Sequence, residues 1–126
     1  MISALTDIHK KAEQGHAEAQ FSLGVMYYNA DGAPRDDAEA VKWFLEAAEQ
    51  GHAEAQFNLG MMYYNGDGIP RDDAEALKWF LEAAKQGHAE AQFNLGVMYY
   101  NDEVVQQDYA EAVNLFLNEL NKRRSR

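Results

Sequence analysis

A block of sixteen residues, QGHAEAQFNLGMMYYN at 50–65, recurs at 86–101 with Val97 in place of Met61, and at 14–29 with Ser22 and Val25 in place of Asn58 and Met61. The following segment recurs as well, DDAEAVKWFLEAAE at 36–49 becoming DDAEALKWFLEAAK at 72–85, so the chain repeats every 36 residues. A fixed period of about 20 to 50 residues marks stacked supersecondary units, none of which buries its apolar surface alone. It also weighs against catalysis. An active site places its residue types once, in an asymmetric cleft, whereas a copied block presents one surface several times.

Gly and Pro cut each unit in two. AEAQFNLGMMYYN and DDAEALKWFLEAAKQ each have the length of an ordinary helix, and NADGAPRD (29–36) or NGDGIPRD (65–72) supplies a tight connection between them. Asp36 with Glu39 and Asp72 with Glu75 have the spacing of a capping box, and Gly51 and Gly87 stand where a left-handed residue would end the second helix. In the first helix, A, the residues Ala55, Leu59, Met62 and Tyr63 share one side, with Gly60 beside them for the close approach of a neighbour. In the second, B, Ala76, Trp79 or Phe80, Ala83 and Ala84 form the apolar side, opposite Glu75, Lys78, Glu82 and Lys85.

Hairpins of this kind must stack, which predicts an all-α fold, an α-solenoid of stacked antiparallel helix hairpins with seven helices. It opens on a lone B-type helix near 2–14, with Ile8 in register with Phe44 and Phe80, and closes on another near 108–122. Residues 1–126 read as a single repeat domain: a capping helix at 1–15, full repeats at 16–51 and 52–87, and a divergent repeat at 88–126. In that last repeat the loop NDEVVQQD lacks Gly and Pro, Leu115 and Asn114 stand where Trp79 and Lys78 stood, and the chain finishes in NKRRSR. These departures suit a terminal cap with a wetter outer face.

Composition and spacing exclude several chemistries. Acidic residues outnumber basic ones 21 to 11, for a formal charge of −10, so a phosphate-tracking surface is missing and nucleic acid is not an expected partner. With no cysteine there is no disulfide, thiolate metal site or thiol nucleophile. No stretch approaches the ~20 apolar residues of a membrane span, and no basic-then-apolar leader begins the chain. The expected location is cytoplasmic by default, and periplasmic or secreted if a signal peptide has been removed. His16, His52 and His88 recur one hairpin apart, roughly 10 Å, whereas zinc–nitrogen bonds are about 2 Å, so a helix-start role is expected of them. In the loops, setting Gly32 or Gly68 at the invariant glycine of a calcium loop puts Tyr27 and Ala38, or Tyr63 and Ala74, where carboxylates are required. None of Ser3, Ser22 and Ser125 lies in a strand-to-helix elbow. No metal or cofactor is expected.

The pattern Ala55, Leu59, Gly60, Tyr63, Gly66, Gly68, Pro70, Asp72, Ala76, Trp79, Phe80, Ala83, Ala84 and Gly87 closely resembles the Sel-one-like repeat (SLR), a relative of the tetratricopeptide repeat, over nearly the whole chain. That resemblance implies a right-handed superhelical solenoid with the A helices on its concave side. It implies a non-catalytic adaptor that assembles protein complexes. Alternatives it brings are an immunity protein inhibiting a cognate bacterial toxin, and a β-lactam-binding or hydrolysing enzyme of the kind reported among cysteine-rich relatives, whose cysteines this chain lacks. Self-association through the exposed ends is a further reading.

With Ala55, Leu59 and Tyr63 buried, the other side of the A helix projects Glu54, Asn58, Met61 and Asn65 into the groove. The matching rows are Glu18, Ser22, Val25 and Asn29, then Glu90, Asn94, Val97 and Asn101. Asn side chains carry a donor and an acceptor, suited to the backbone of an extended peptide or to a partner helix. Tyr28, Tyr64 and Tyr100 flank the rows, while Phe21, Phe57 and Phe93 read as filling the seam between repeats. The three carboxylates favour a neutral or basic protein or peptide partner.

Overall fold

The computed structural model describes residues 4–100 and 107–124, without the side chains of Tyr100, residues 107–112 and Leu115. Among the described residues there are seven helices and no strand: α1 (Ala4–Glu13), α2 (Ala17–Asn29), α3 (Asp37–Glu49), α4 (Ala53–Asn65), α5 (Asp73–Lys85), α6 (Ala89–Tyr100) and α7 (Gln107–Arg124). Helices α2, α4 and α6 are the A helices and α1, α3, α5 and α7 the B type, in the order the period predicts.

Local chemistry ends each helix where the sequence signals fall. After α3 the chain turns through Gly51 at φ 89°, whose N–H donates to Ala48 O at 3.0 Å while that of His52 donates to Ala47 O at 3.2 Å. The two bonds satisfy carbonyls that α3 itself cannot, and glycine takes the left-handed position without a Cβ penalty. Gly87 and His88 repeat the motif after α5. The same histidine starts the next helix: His52 Nδ1 accepts the Ala55 N–H and His88 Nδ1 that of Ala91, each at 3.1 Å. His16 holds the equivalent cap position without a side-chain bond.

The expected capping boxes form by half. Asp36 and Asp72 accept from the N–H groups of Glu39 and Glu75 at 3.1 Å. The reciprocal bond has no free donor to use, because the Asp36 and Asp72 N–H groups already donate to Tyr27 O and Tyr63 O, at 3.0 Å, closing the loop between A and B. Glu39 is thereby released to accept from Trp43 Nε1 at 3.2 Å.

Between helices, close packing rests on missing side chains. The Phe44 ring lies where a Cβ on Gly24 would be 2.6 Å away, and Phe80 where one on Gly60 would be 2.7 Å away. Ala47, Ala48, Ala83 and Ala84 are fully buried on the B helices, and both Trp79 and Phe80 join the apolar side. Glutamines stitch the stack: Gln20 and Gln56 donate to Ala12 O and Ala48 O at 3.1 Å, and accept from Gln50 and Gln86 at 2.7 and 2.9 Å. A buried amide satisfied on both sides costs no unpaired group.

Candidate functional site

Two pockets open between consecutive A helices, one period apart. The first, about 270 Å³, lies between α2 and α4 over the ring of Phe44; Val25, Met61 and Met62 make its apolar wall, and Asn29, Asn58 and Asn65 its polar rim, with Tyr28 and Asp67 beside them. The second, about 210 Å³, lies between α4 and α6 over Phe80, with Met61, Val97 and Met98 apolar, Asn65 and Asn94 polar, and Tyr64 and Phe93 alongside. Met61 and Asn65 belong to both. The A-helix rows read from the sequence thus converge on a repeated unit: an aromatic floor from the B helix, an aliphatic wall and an amide rim.

Not every projected residue reaches these pockets. Glu18 and Glu54 instead meet the histidine of the next repeat, His52 Nε2 at 2.7 Å and His88 Nε2 at 3.2 Å. Because Nδ1 of each ring accepts a backbone N–H, the ring proton sits on Nε2 and donates to the carboxylate. Ser22 is half-buried and lines neither pocket, and Glu90 is exposed. Asn101 and the side chain of Tyr100 lie outside the described residues, as does the loop at 101–106.

The aromatic flank divides, and Phe93, expected in the seam, is instead exposed and lines the second pocket. Phe21 stacks on His52 and Phe57 on His88, both at 4.7 Å between ring centres, which places these rings in the seam. Tyr28 and Tyr64 line the pockets and carry guanidinium groups over their faces, Arg35 at 4.7 Å and Arg71 at 5.2 Å. Each arginine is held bidentately by a carboxylate, Arg35 by Asp37 at 2.9 and 3.2 Å and Arg71 by Asp73 at 2.8 and 3.1 Å. The hydrogen bond and charge of Asp37 push the Arg35 pKa upward, so its charge is permanent and largely spent within the pair. Asn94 Nδ2 rests 3.2 Å from Met61 Sδ, a weak acceptor that a better one displaces.

Sequence reasoning missed the cross-repeat Glu–His contacts, the Phe floors and Asp67. A signal for the first existed: each histidine follows a glutamate by 34 residues, two short of the period, which brings the pair to the same end of adjacent A helices.

The Sel1 repeat family model matches residues 17–52, 53–88 and 89–117. Among solved structures the chain is similar to a protective antigen of uropathogenic Escherichia coli displaying an SLR fold, with 43% identity and a TM-score of 0.76 over 79% of this chain and 21% of that one. It is similar to a Sel1 repeat protein from Oxalobacter formigenes, with 40% identity and a TM-score of 0.72 over 79% of this chain and 41% of that one. Cysteine rich protein B of Helicobacter pylori shares the fold, at 23% identity and a TM-score of 0.66 over 69% of this chain and 65% of that one. The chain spans less than two thirds of each of these proteins. No curated sequence matches it.

Proposed function

The chain belongs to the Sel1 repeat family, whose members are typically non-catalytic scaffolds for protein–protein contact, and from that premise we propose that it is an adaptor that receives a partner protein or peptide in the groove lined by α2, α4 and α6. The observation that carries this reading is the pair of matching pockets on the A helices, each with an apolar floor and an amide rim. A rim of donors and acceptors fixes orientation while the floor supplies desolvation, the usual division of labour at a binding surface. No helix among the described residues is long and apolar enough to cross a membrane. The surface charge favours a neutral or basic partner.

Affinity capture from a lysate tests it, with the wild-type chain beside an Asn58→Asp, Met61→Glu, Asn94→Asp variant of unchanged circular dichroism. A protein retained by the wild type and lost by the variant is the expected result. Equal retention by both removes the groove from the contact surface.

A further inference from the structure

Resting on the groove reading above, we infer that the two pockets seat two large apolar side chains, three residues apart, of a single extended peptide segment bearing positive charge. Three observations set the chemistry of this occupant.

Size comes first. An apolar cavity of about 150 Å³ admits benzene, so the pockets of about 270 and 210 Å³ each take a leucine or phenylalanine side chain. The shared wall of Met61 and Asn65 makes them adjacent compartments of one track.

Spacing and hydrogen bonding set the conformation. Matching pockets on consecutive A helices are one hairpin apart, about the ~10 Å diameter of a helix. A polyproline-type segment, three residues per turn at about 3.1 Å each, returns a side chain to the same face every ~9 Å. Same-face positions on a β-strand fall near 7 or 13 Å. An α-helix reaches ~10 Å over seven residues, but its backbone bonds to itself and offers nothing to the amides of Asn58 and Asn65, and leaves Asn94 only the weak acceptor Met61 Sδ. An extended segment brings free N–H and C=O groups to that row.

Charge sets the flanks. All 21 acidic residues precede Lys122, while four of the 11 basic ones lie at or beyond it. Asp67 lines the first pocket, and Arg35 and Arg71 beside the tyrosines are each bound to a carboxylate. Lysine or arginine next to the apolar anchors complements this surface.

Fluorescence anisotropy with labelled synthetic peptides on the full chain tests the inference. Lys-Leu-Pro-Pro-Leu-Lys is expected to bind at least about tenfold more tightly than Lys-Leu-Pro-Leu-Pro-Lys or a single-leucine version, the fold-change that burying one leucine supplies. Replacing its lysines by glutamates weakens it, the more so at low salt. Val25→Glu and Val97→Glu, one per pocket and neither at a fully buried site, each reduce it to the single-leucine level. If all registers bind alike and Met61→Glu abolishes all of them, the two-pocket spacing is wrong and the groove reading survives. Binding that Met61→Glu leaves unchanged overturns both. Tighter binding of a helical peptide with leucines seven apart overturns the extended occupant, and binding by none of the peptides overturns the inference while leaving the capture experiment to judge the groove.

Discussion

Helices α5 and α7 stand one period apart, with Phe80 and Phe116 at matching positions. The Phe80 ring comes so close to α4 that a Cβ on Gly60 would lie 2.7 Å from it, whereas a Cβ on Gly96 of α6 would meet nothing within 4 Å. Val113 of α7 is fully buried. The second half of that helix stands off, leaving a cleft of about 1000 Å³ bounded by Phe93, Val97, Leu117, Leu120 and Arg124. Phe93 is 71% exposed, while its counterparts Phe21 and Phe57 are covered by the histidine of the next repeat. One period on, Glu119 and Leu120 stand where Ala83 and Ala84 let α5 lie flat, and Arg124 stands where His88 covers Phe57.

The largest test of this contrast is a pair of truncations. Phe80→Ala is expected to cost about 3–5 kcal/mol, the range for emptying a sealed aromatic site, while Phe116→Ala, from a half-buried position, costs well under half of that. Urea unfolding followed by circular dichroism measures both. Equal losses would mean that α7 is seated as firmly as α5.

Alanine at the two glycines should move stability in opposite directions. At Gly60 the new methyl meets the Phe80 ring and lies 3.3 Å from Ala76 O, so about 1–3 kcal/mol is lost to overpacking. At Gly96 the space is open, and replacing glycine inside a helix gains about 1 kcal/mol of propensity. A destabilising Gly96→Ala would show that α7 closes on α6 in solution.

Restoring the alanines is the next smaller step. Glu119→Ala with Leu120→Ala recreates the small pair of α5, and the expected result is slower amide exchange over the second half of α7. Unchanged exchange would show that neither Glu119 nor Leu120 holds that half of the helix away.

What could be read in advance was what depends on neighbours in sequence. The hairpins, the glycine stops, the histidine starts and the buried Ala55–Leu59 side follow from periodicity and short-range capping, and the structure has them. Spacing alone puts Asn58, Met61 and Asn65 on the side of α4 that lines the two pockets, yet Glu18 and Glu54 meet histidines of the following repeat, a contact that depends on how hairpins stack. Trp43 and Trp79 show where local sequence runs out. Both follow a glutamate by four residues and a lysine by one, but Trp43 Nε1 reaches Glu39, whereas Trp79 Nε1 is buried without a partner and Glu75 turns to Lys78 at 4.0 Å. Nothing in the sequence around the two explains that difference.

The smallest effect concerns Tyr63, on the packed side of α4. Burial, then the negative charges of Glu75 and Asp72, raise its phenol pKa above the ordinary value. A raised folded value means that the native state holds this proton more tightly than the unfolded chain does. Its contribution to stability is therefore complete below the unfolded value of about 10 and is lost as pH rises through the folded one. The seven tyrosines absorb together, so the measurement is a difference: the alkaline titration of tyrosinate absorbance in the wild type minus that in Tyr63→Phe. A step displaced above the free-phenol range is expected. Tyr99, the counterpart of Tyr63 on α6, is 39% exposed and hydrogen-bonded to Asn114 of α7 at 3.3 Å, so the same subtraction with Tyr99→Phe reports on the open hairpin. If the Tyr63 step coincides with free phenol, water reaches the α4–α5 seam, and the closed repeat is less different from the open one than their packing implies.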